Sequence, residues 1–299
     1  MKKPNTFTCK LDLNLKDQLL KDLKEFGFSF TKPNYTIFKA NKKNVVVVLY
    51  ESGSLVVQGK EKDEFIEFYL EPNILKSFKF SHPHAHVSMV SRIGVDEAGK
   101  GDFFGPLCIA GVHADEDSIK KLIQANIRDS KKISDKEILK LAGIISKLCD
   151  HEIIRLFPEK YNELYLKFKN LNSLLAWGHV TVIDNLHKKT NCKNVIIDQF
   201  ANKSVVENLV KRKKLDIDLE QRTKAEEDPV VAAASILARA SFVKGIDELS
   251  KKYEIKLPKG ASRTVIDFGK KFVAKYGPDY LEKVAKIHFK TKDNILNDD

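Results

Sequence analysis

Residues 92–106 read RIGVDEAGKGDFFGP, a short apolar run that ends in two adjacent acids and is followed by a Gly-Lys-Gly turn. A continuous apolar run of this length describes a strand buried on both faces, and such strands belong to sheets covered by helices on either side. A second run of the same kind, NVIID at 194–198, also ends in an aspartate. In open α/β sheets the binding crevice lies beyond the strand ends. If the two strands are parallel neighbours, Asp96 and Asp198 meet at one rim. Glu97 directly follows Asp96, and successive strand residues point to opposite faces. It joins the pair only if the chain bends there, and Gly99 permits that bend.

Working outward from this stretch, strands at RIGVD, LCIAGVHA (107–114), HEIIRLF (151–157) and NVIID alternate with helical patterns. The helices are expected at 135–149, 173–189, 204–213, 228–253 and 263–276, and the alternation is that of an α/β layer architecture. The first 75 residues differ. LNLKDQLLKDLKEF (13–26) is an amphipathic helix closed by Gly27, and YTIFKA, NVVVVLYE and SLVVQGK form a small antiparallel meander. A second helix, EKDEFIEFYL (61–70), is expected to end before Pro72. The division is therefore an α+β domain at 1–75, a linker at 76–90 and an α/β domain at 91–299. His82, His84 and His86 alternate in the linker, but no further ligand is spaced to complete a tetrahedral metal shell, so a solvated connection is the simpler reading.

A third acidic group is KAEEDPVV, residues 224–231. Asp228 before Pro229 reads as an N-cap followed by the first helical residue. Glu226 or Glu227 can face the same rim as Asp96 and Asp198, or both can be ordinary surface acids. Several carboxylates held together repel one another unless a hard cation neutralises them. Mg2+ suits such a set because it takes oxygen ligands, keeps waters and shares positions with phosphate; two ions about 4 Å apart make an in-line displacement site. GKGDFFG is not a dinucleotide fingerprint, since its third glycine would fall at Phe104, and no GxxxxGK[ST] occurs. RDSKKIS (128–134) supplies Lys131 and Lys132 to a second polar loop suited to phosphate, or simply opens a helix capped by Ser134.

Composition bounds the partners. With 52 basic against 41 acidic residues the net charge is +11, which fits a polyanion binder and also a merely lysine-rich surface. Cys9, Cys108, Cys149 and Cys192 lie far apart with no CxxC, so neither a zinc site nor a disulfide framework is indicated. His113, His179 and His288 are read as structural. No apolar run of membrane-spanning length and no secretory leader is apparent, which places the expected location in the cytoplasm, with no membrane contact.

Four segments taken together, GVDEAGKGDFFGPL, RDSKKIS, NVIIDQF and KAEEDPVVAAASILARA, strongly resemble the type 2 ribonucleases H over roughly residues 90–290. The module ahead of them is similar to the extra N-terminal domain of the bacterial ribonuclease HIII branch. The Gly-Lys-Gly turn also resembles that branch, as does LPKGAS (257–262), where Ala261 replaces the tyrosine that ribonuclease HII uses at DNA-RNA junctions. The resemblance implies an RNase H-like catalytic domain with a mixed central sheet, preceded by a small TATA-binding-protein-like α+β domain. It further implies an endonuclease that cuts the RNA strand of RNA/DNA hybrids, leaving 5′-phosphate and 3′-hydroxyl ends. Asp96, Glu97 and Asp198 match the first three catalytic, metal-holding positions. Glu226 matches the fourth, usually an aspartate, with Glu227 the alternative in register. Asp96 would bridge two Mg2+ ions, with Mn2+ as a substitute metal, Glu97 would serve the leaving side, and Asp198 and Glu226 the water side. Gly99, Lys100 and Gly101 would read the RNA 2′-hydroxyls, and Ser130, Lys131 and Lys259 would contact the substrate. Apart from the resemblance, no obligatory protein partner is evident in the sequence, and a monomer is expected. Two other functions stay open: incision at single ribonucleotides in duplex DNA, as in ribonuclease HII, and hybrid binding without chemistry.

Overall fold

A computed structural model describes residues 6–76, 87–127 and 133–297. The chain divides into two compact units, Met1–Val87 and Ser88–Asp299. Most of the expected linker, residues 77–86 with His82, His84 and His86, lies outside the described residues.

The first unit has five strands where three were expected from sequence. They are β1 (Thr6–Lys10), β2 (Ser29–Thr31), β3 (Thr36–Lys42), β4 (Val45–Tyr50) and β5 (Ser54–Gln58), in antiparallel order β1-β5-β4-β3-β2. The two additional strands are the edges, short and only partly buried, so they lack the apolar alternation that marks β4. Helix α1 (Lys16–Glu25) is preceded by one 3-10 turn at Leu13–Leu15 and ends at Gly27, which has φ +77°. Phe28 N–H reaches back to the Leu23 carbonyl at 3.0 Å, the closure a helix-ending glycine makes possible. Helix α2 (Lys62–Phe65) does not stop before Pro72 as expected, but continues as a π-helix, Ile66–Leu75. Ile66, Leu70 and Ile74, four apart, are all buried in the core with Leu19, Leu23, Val47, Leu49, Leu55 and Val57. In the wider π turn that spacing keeps one face, and its burial outweighs the cost of the proline.

In the second unit a five-stranded mixed sheet runs β10-β9-β6-β7-β8. Its members are β6 (Arg92–Ala98), β7 (Leu107–Ala114), β8 (Asp150–Leu156), β9 (Asn194–Asp198) and β10 (Asp218–Arg222). β9 pairs parallel with β6 and β10, while β7 pairs antiparallel with β6 and β8. β10, whose sequence is DLEQR, is a polar edge strand with no hydrophobic signature. The remaining helices are α3 (Glu116–Gln124), α4 (Asp135–Leu148), α5 (Pro158–Phe168), α6 (Leu171–Thr190), α7 (Lys203–Arg212), α8 (Pro229–Lys252), α9 (Arg263–Tyr276), α10 (Leu281–Val284) and α11 (Thr291–Leu296).

Helix α8 packs on β6 and β7 with α3 and α4 beside it, and α6 packs on β6, β7 and β8 with α5 and α7 beside it. The approach of α8 is very close. A Cβ placed on Gly94 would lie 2.6 Å from the Val231 backbone nitrogen, so glycine at this strand position lets the helix backbone settle on the sheet. On the other side Ile93 and Val95 join Val182, Ile183 and Leu186 of α6 in the core. α8 is, among the described residues, the one helix long and apolar enough to cross a membrane, but 78 % of its most apolar stretch is buried inside the protein. That burial is the mark of a core helix.

Candidate active site

β6 and β9 are parallel and in register, with Val95 opposite Ile197. The next residue on each strand is the acid. Asp96 and Asp198 therefore lie side by side just past the last paired residues of two neighbouring strands, which lie about 4.8 Å apart in a sheet. Both line one cleft of about 470 Å³ with Glu97, Gly99, Asp102, Glu226, Ser235, Arg239, Phe242 and Lys259.

Asp96 is on the α8 face of the sheet, where Ser235 hydrogen-bonds its carboxylate, and the backbone N–H of Glu97 donates to Oδ1 at 2.8 Å. Burial and then the charge of Glu97 push the Asp96 carboxyl up to about 7, against those hydrogen bonds. Glu97 points to the other face, as strand alternation requires, and still reaches the cleft because it lies at the strand end. β6 stays paired through Ala98, so the bend expected beside Glu97 comes only at Gly99. Burial pushes the Glu97 carboxyl up, but His179 at 3.1 Å and Lys100 at 3.6 Å outweigh it and hold the group below the usual carboxylate range. Lys100 also lies over the Phe200 ring, 5.6 Å from its centroid.

Glu226 enters from a third direction. Its turn, Ala225–Glu227, leads directly into α8, and Asp198 accepts a hydrogen bond from Ala225 N–H at 3.0 Å. Asp198 thus holds the turn that carries Glu226. Of the two glutamates, Glu226 lines the cleft and is partly buried, whereas Glu227 is exposed. Asp228 is the N-cap of α8, accepting from Val230 N–H at 2.9 Å, and pairs with buried Arg92.

Gly99 has φ +87°, and a Cβ there would sit 2.3 Å from the Pro106 carbonyl oxygen. Gly101 is exposed, and a Cβ on it would meet no atom of the described residues within 4 Å. Lys259 stands at the rim in an ion pair with Asp135, which also binds Arg239 at 3.3 Å. The Lys259 loop is tied to the glycine turn, because Asp102 accepts from Gly260 N–H at 2.6 Å and Phe103 N–H donates to the Gly260 carbonyl at 2.9 Å. Ser130 and Lys131 lie outside the described residues. Asp102, Ser235, Arg239 and His179 were not read as site residues from the sequence. Only His179 carried a signal, as a lone polar side chain in the apolar stretch LLAWGHVTVI.

Among the described residues no three Asp, Glu, His or Cys side chains close into a metal shell. Mg2+ does not require one, since it binds through one or two carboxylates and completes its octahedron with water and phosphate. The donor set fits such an ion: all-oxygen, strongly acidic and partly buried, with the Lys100 ammonium already beside Glu97 as an internal counter-charge.

Comparison with known proteins places these features. The family described as Ribonuclease HII matches residues 93–292, and a domain of unknown function, DUF3378, matches residues 6–81. A Ribonuclease HIII from Protochlamydia amoebophila is 53 % identical over 97 % of this chain and 96 % of its own. One from Chlamydia felis is 51 % identical, covering 93 % and 94 %. The crystal structure of Bst-RNase HIII in complex with Mn2+ superposes with a TM-score of 0.68 at 27 % identity, covering 97 % of this chain and 98 % of that one. The RNase HII of Archaeoglobus fulgidus, solved in a PCNA complex, has a TM-score of 0.58 at 28 % identity and covers 98 % of itself but only 70 % of this chain. Similar to ribonucleases HIII at about half identity almost from end to end, and to a solved one over 97 % of its length, the chain belongs to the ribonuclease HIII family of ribonucleases H.

Proposed function

We propose that the cleft hydrolyses the RNA strand of RNA/DNA hybrids with two divalent cations, Mg2+ or Mn2+, leaving 5′-phosphate and 3′-hydroxyl ends. The observation that carries this is the convergence of Asp96 and Asp198 where the parallel pairing of β6 and β9 ends, with Glu97 and Glu226 lining the same cleft. These four side chains would hold the ions, with Asp96 shared between them. Bound there, the cations would neutralise the clustered acids, make a water nucleophilic at neutral pH and stabilise the leaving oxygen.

The protein groups divide the remaining work. Gly101 leaves its backbone open to the ribose edge, and the 2′-hydroxyl is the group that distinguishes RNA from DNA. Lys100 is placed to leave Glu97 for a phosphate oxygen when the site fills. Lys259 and Arg239 offer cations at the rim, and phosphate contacts of this kind fix the duplex without reading its sequence. The chain would act in the cytoplasm as a monomer. Asp198→Asn tests the assignment. It removes an anionic ligand but keeps an acceptor for Ala225 N–H, so cleavage of a labelled hybrid should be abolished while gel-shift binding persists. Retained cleavage, or loss of binding and folding together, would refute a catalytic Asp198.

A further inference from the structure

His179 lies in the middle of α6 with no solvent exposure. Burying an imidazole among apolar side chains is costly unless its polar atoms find partners. Nε2 lies 3.1 Å from Glu97 Oε2, while Nδ1 is buried with no hydrogen-bond partner among the described residues. Among the described residues one polar contact is thus all that the ring makes, and it goes to the candidate ligand Glu97. Since a carboxylate only accepts, Nε2 carries the proton and donates. The ring is itself fixed from the side by Phe200, 4.7 Å between centroids. Glu97 is consequently held on one oxygen by a fully buried donor and on the other by the partly exposed Lys100 at 3.6 Å.

We infer that His179 is a positioning residue. Its Nε2–H fixes the Glu97 carboxylate in the orientation that receives a divalent cation, and leaves Oε1 as the oxygen that exchanges Lys100 for the ion. The inference rests on Glu97 being a metal ligand, as proposed above. Groups behind metal-ligating side chains typically contribute 10–100-fold to metal affinity. A purely structural histidine would contribute to folding and nothing to the metal.

The decisive measurement is Mn2+ binding to the full chain without substrate, followed by electron paramagnetic resonance, with the thermal midpoint measured in parallel. His179→Leu keeps volume and removes the donor; His179→Gln places an amide N–H near the position of Nε2. Leu should weaken Mn2+ binding about 10–100-fold, and Gln should restore most of it. The Mn2+ concentration giving half-maximal cleavage should shift by a similar factor. If the Leu variant does not fold, His179→Asn takes its place, because its shorter amide does not reach Glu97. Parental Mn2+ affinity in the donor-less variant overturns the inference, and so does equal weakening in Leu and Gln. Asp198→Asn is the control: if neither it nor His179→Leu changes Mn2+ binding, the cleft is not a metal site and the proposed function falls with the inference.

Discussion

At the scale of single residues, the Gly-Lys-Gly turn separates into two different glycines. Gly99 is demanded by the fold, through its φ of +87° and the Pro106 carbonyl and Phe242 ring that a Cβ would strike. Gly101→Ala meets no atom of the described residues, so its stability should stay within about 0.5 kcal/mol of the parent. A rise in KM for the hybrid at unchanged thermal midpoint would then report the approach of the ribose. Unchanged KM would remove Gly101 from the substrate surface. Gly99→Ala should instead lower the midpoint, with a strain cost of about 1–3 kcal/mol. Both roles were compressed into one motif in the sequence, because the atoms that constrain Gly99 come from residues 106 and 242. Lys286 was invisible for the same reason. It is fully buried, donates to the Gly105 carbonyl at 2.7 Å, and burial pushes its amine down to about 7, against the charge of Asp102. Between pH 7 and the ordinary lysine value near 10.4, the unfolded chain holds a proton that the folded chain does not. Stability should therefore rise with pH across that window, by up to about 1.4 kcal/mol per pH unit. Below it both states are protonated and the burial cost is carried in full. Urea unfolding at pH 7.5 and 9.5 should show this gain in the parent and not in Lys286→Met. Parallel pH profiles would show that the folded chain keeps the Lys286 proton across this window, against the lowering by burial.

At the scale of elements, the parts most legible in the sequence were those whose stability is local. α8 was readable almost residue for residue, because Asp228-Pro229 opens it and an alanine-rich apolar run fills it. β6, β7 and β9 were readable because strands buried on both faces are apolar throughout. β1, β2 and β10 were not, since an edge strand draws its order from the neighbour it pairs with. The candidate acids were legible from strand ends, but their companions His179, Ser235 and Arg239 were not, because helix packing brings them in from far along the chain. Asp228 shows the same limit within one residue. Its capping role follows from the dipeptide, whereas its partner Arg92 is 136 residues away, with Nε at 3.0 Å and Nη2 at 2.9 Å from Oδ2. Arg92 and Asp228 are 2 % and 6 % exposed, so the pair ties the start of β6 to the start of α8 in a dry setting. Asp228→Ala should cost about 3–5 kcal/mol, as expected when a buried charge loses its partner. Asp228→Ser restores a cap but no charge, and should recover only about 1 kcal/mol. Full recovery by serine in chemical denaturation would show that the Arg92 pair contributes nothing.

For the whole molecule, the question is where the affinity for a polyanion resides. Residues 1–87 carry 14 lysines against 10 acids, a net +4 of the total +11, so the remaining residues keep +7. The first unit has its own sheet and its own closed core, and neither contains a residue of the acidic cleft. A role in holding the duplex rather than in chemistry is the expectation that follows. Each phosphate neutralised by a lysine steepens the fall of affinity with salt by about 0.9 in log-log slope. Removing residues 1–87 should therefore weaken hybrid binding and flatten its salt dependence by roughly one slope unit for every lysine that pairs with a phosphate in the full chain. A residual slope should survive from the +7 that remains, and turnover at saturating hybrid should change far less than KM. Binding titrations of the full chain and of residues 88–299 across a potassium chloride series would measure both quantities. Identical slopes would mean that the lysines of the first unit do not touch phosphate, while a collapse of saturated turnover with unchanged affinity would mean that this unit serves the chemistry rather than the grip.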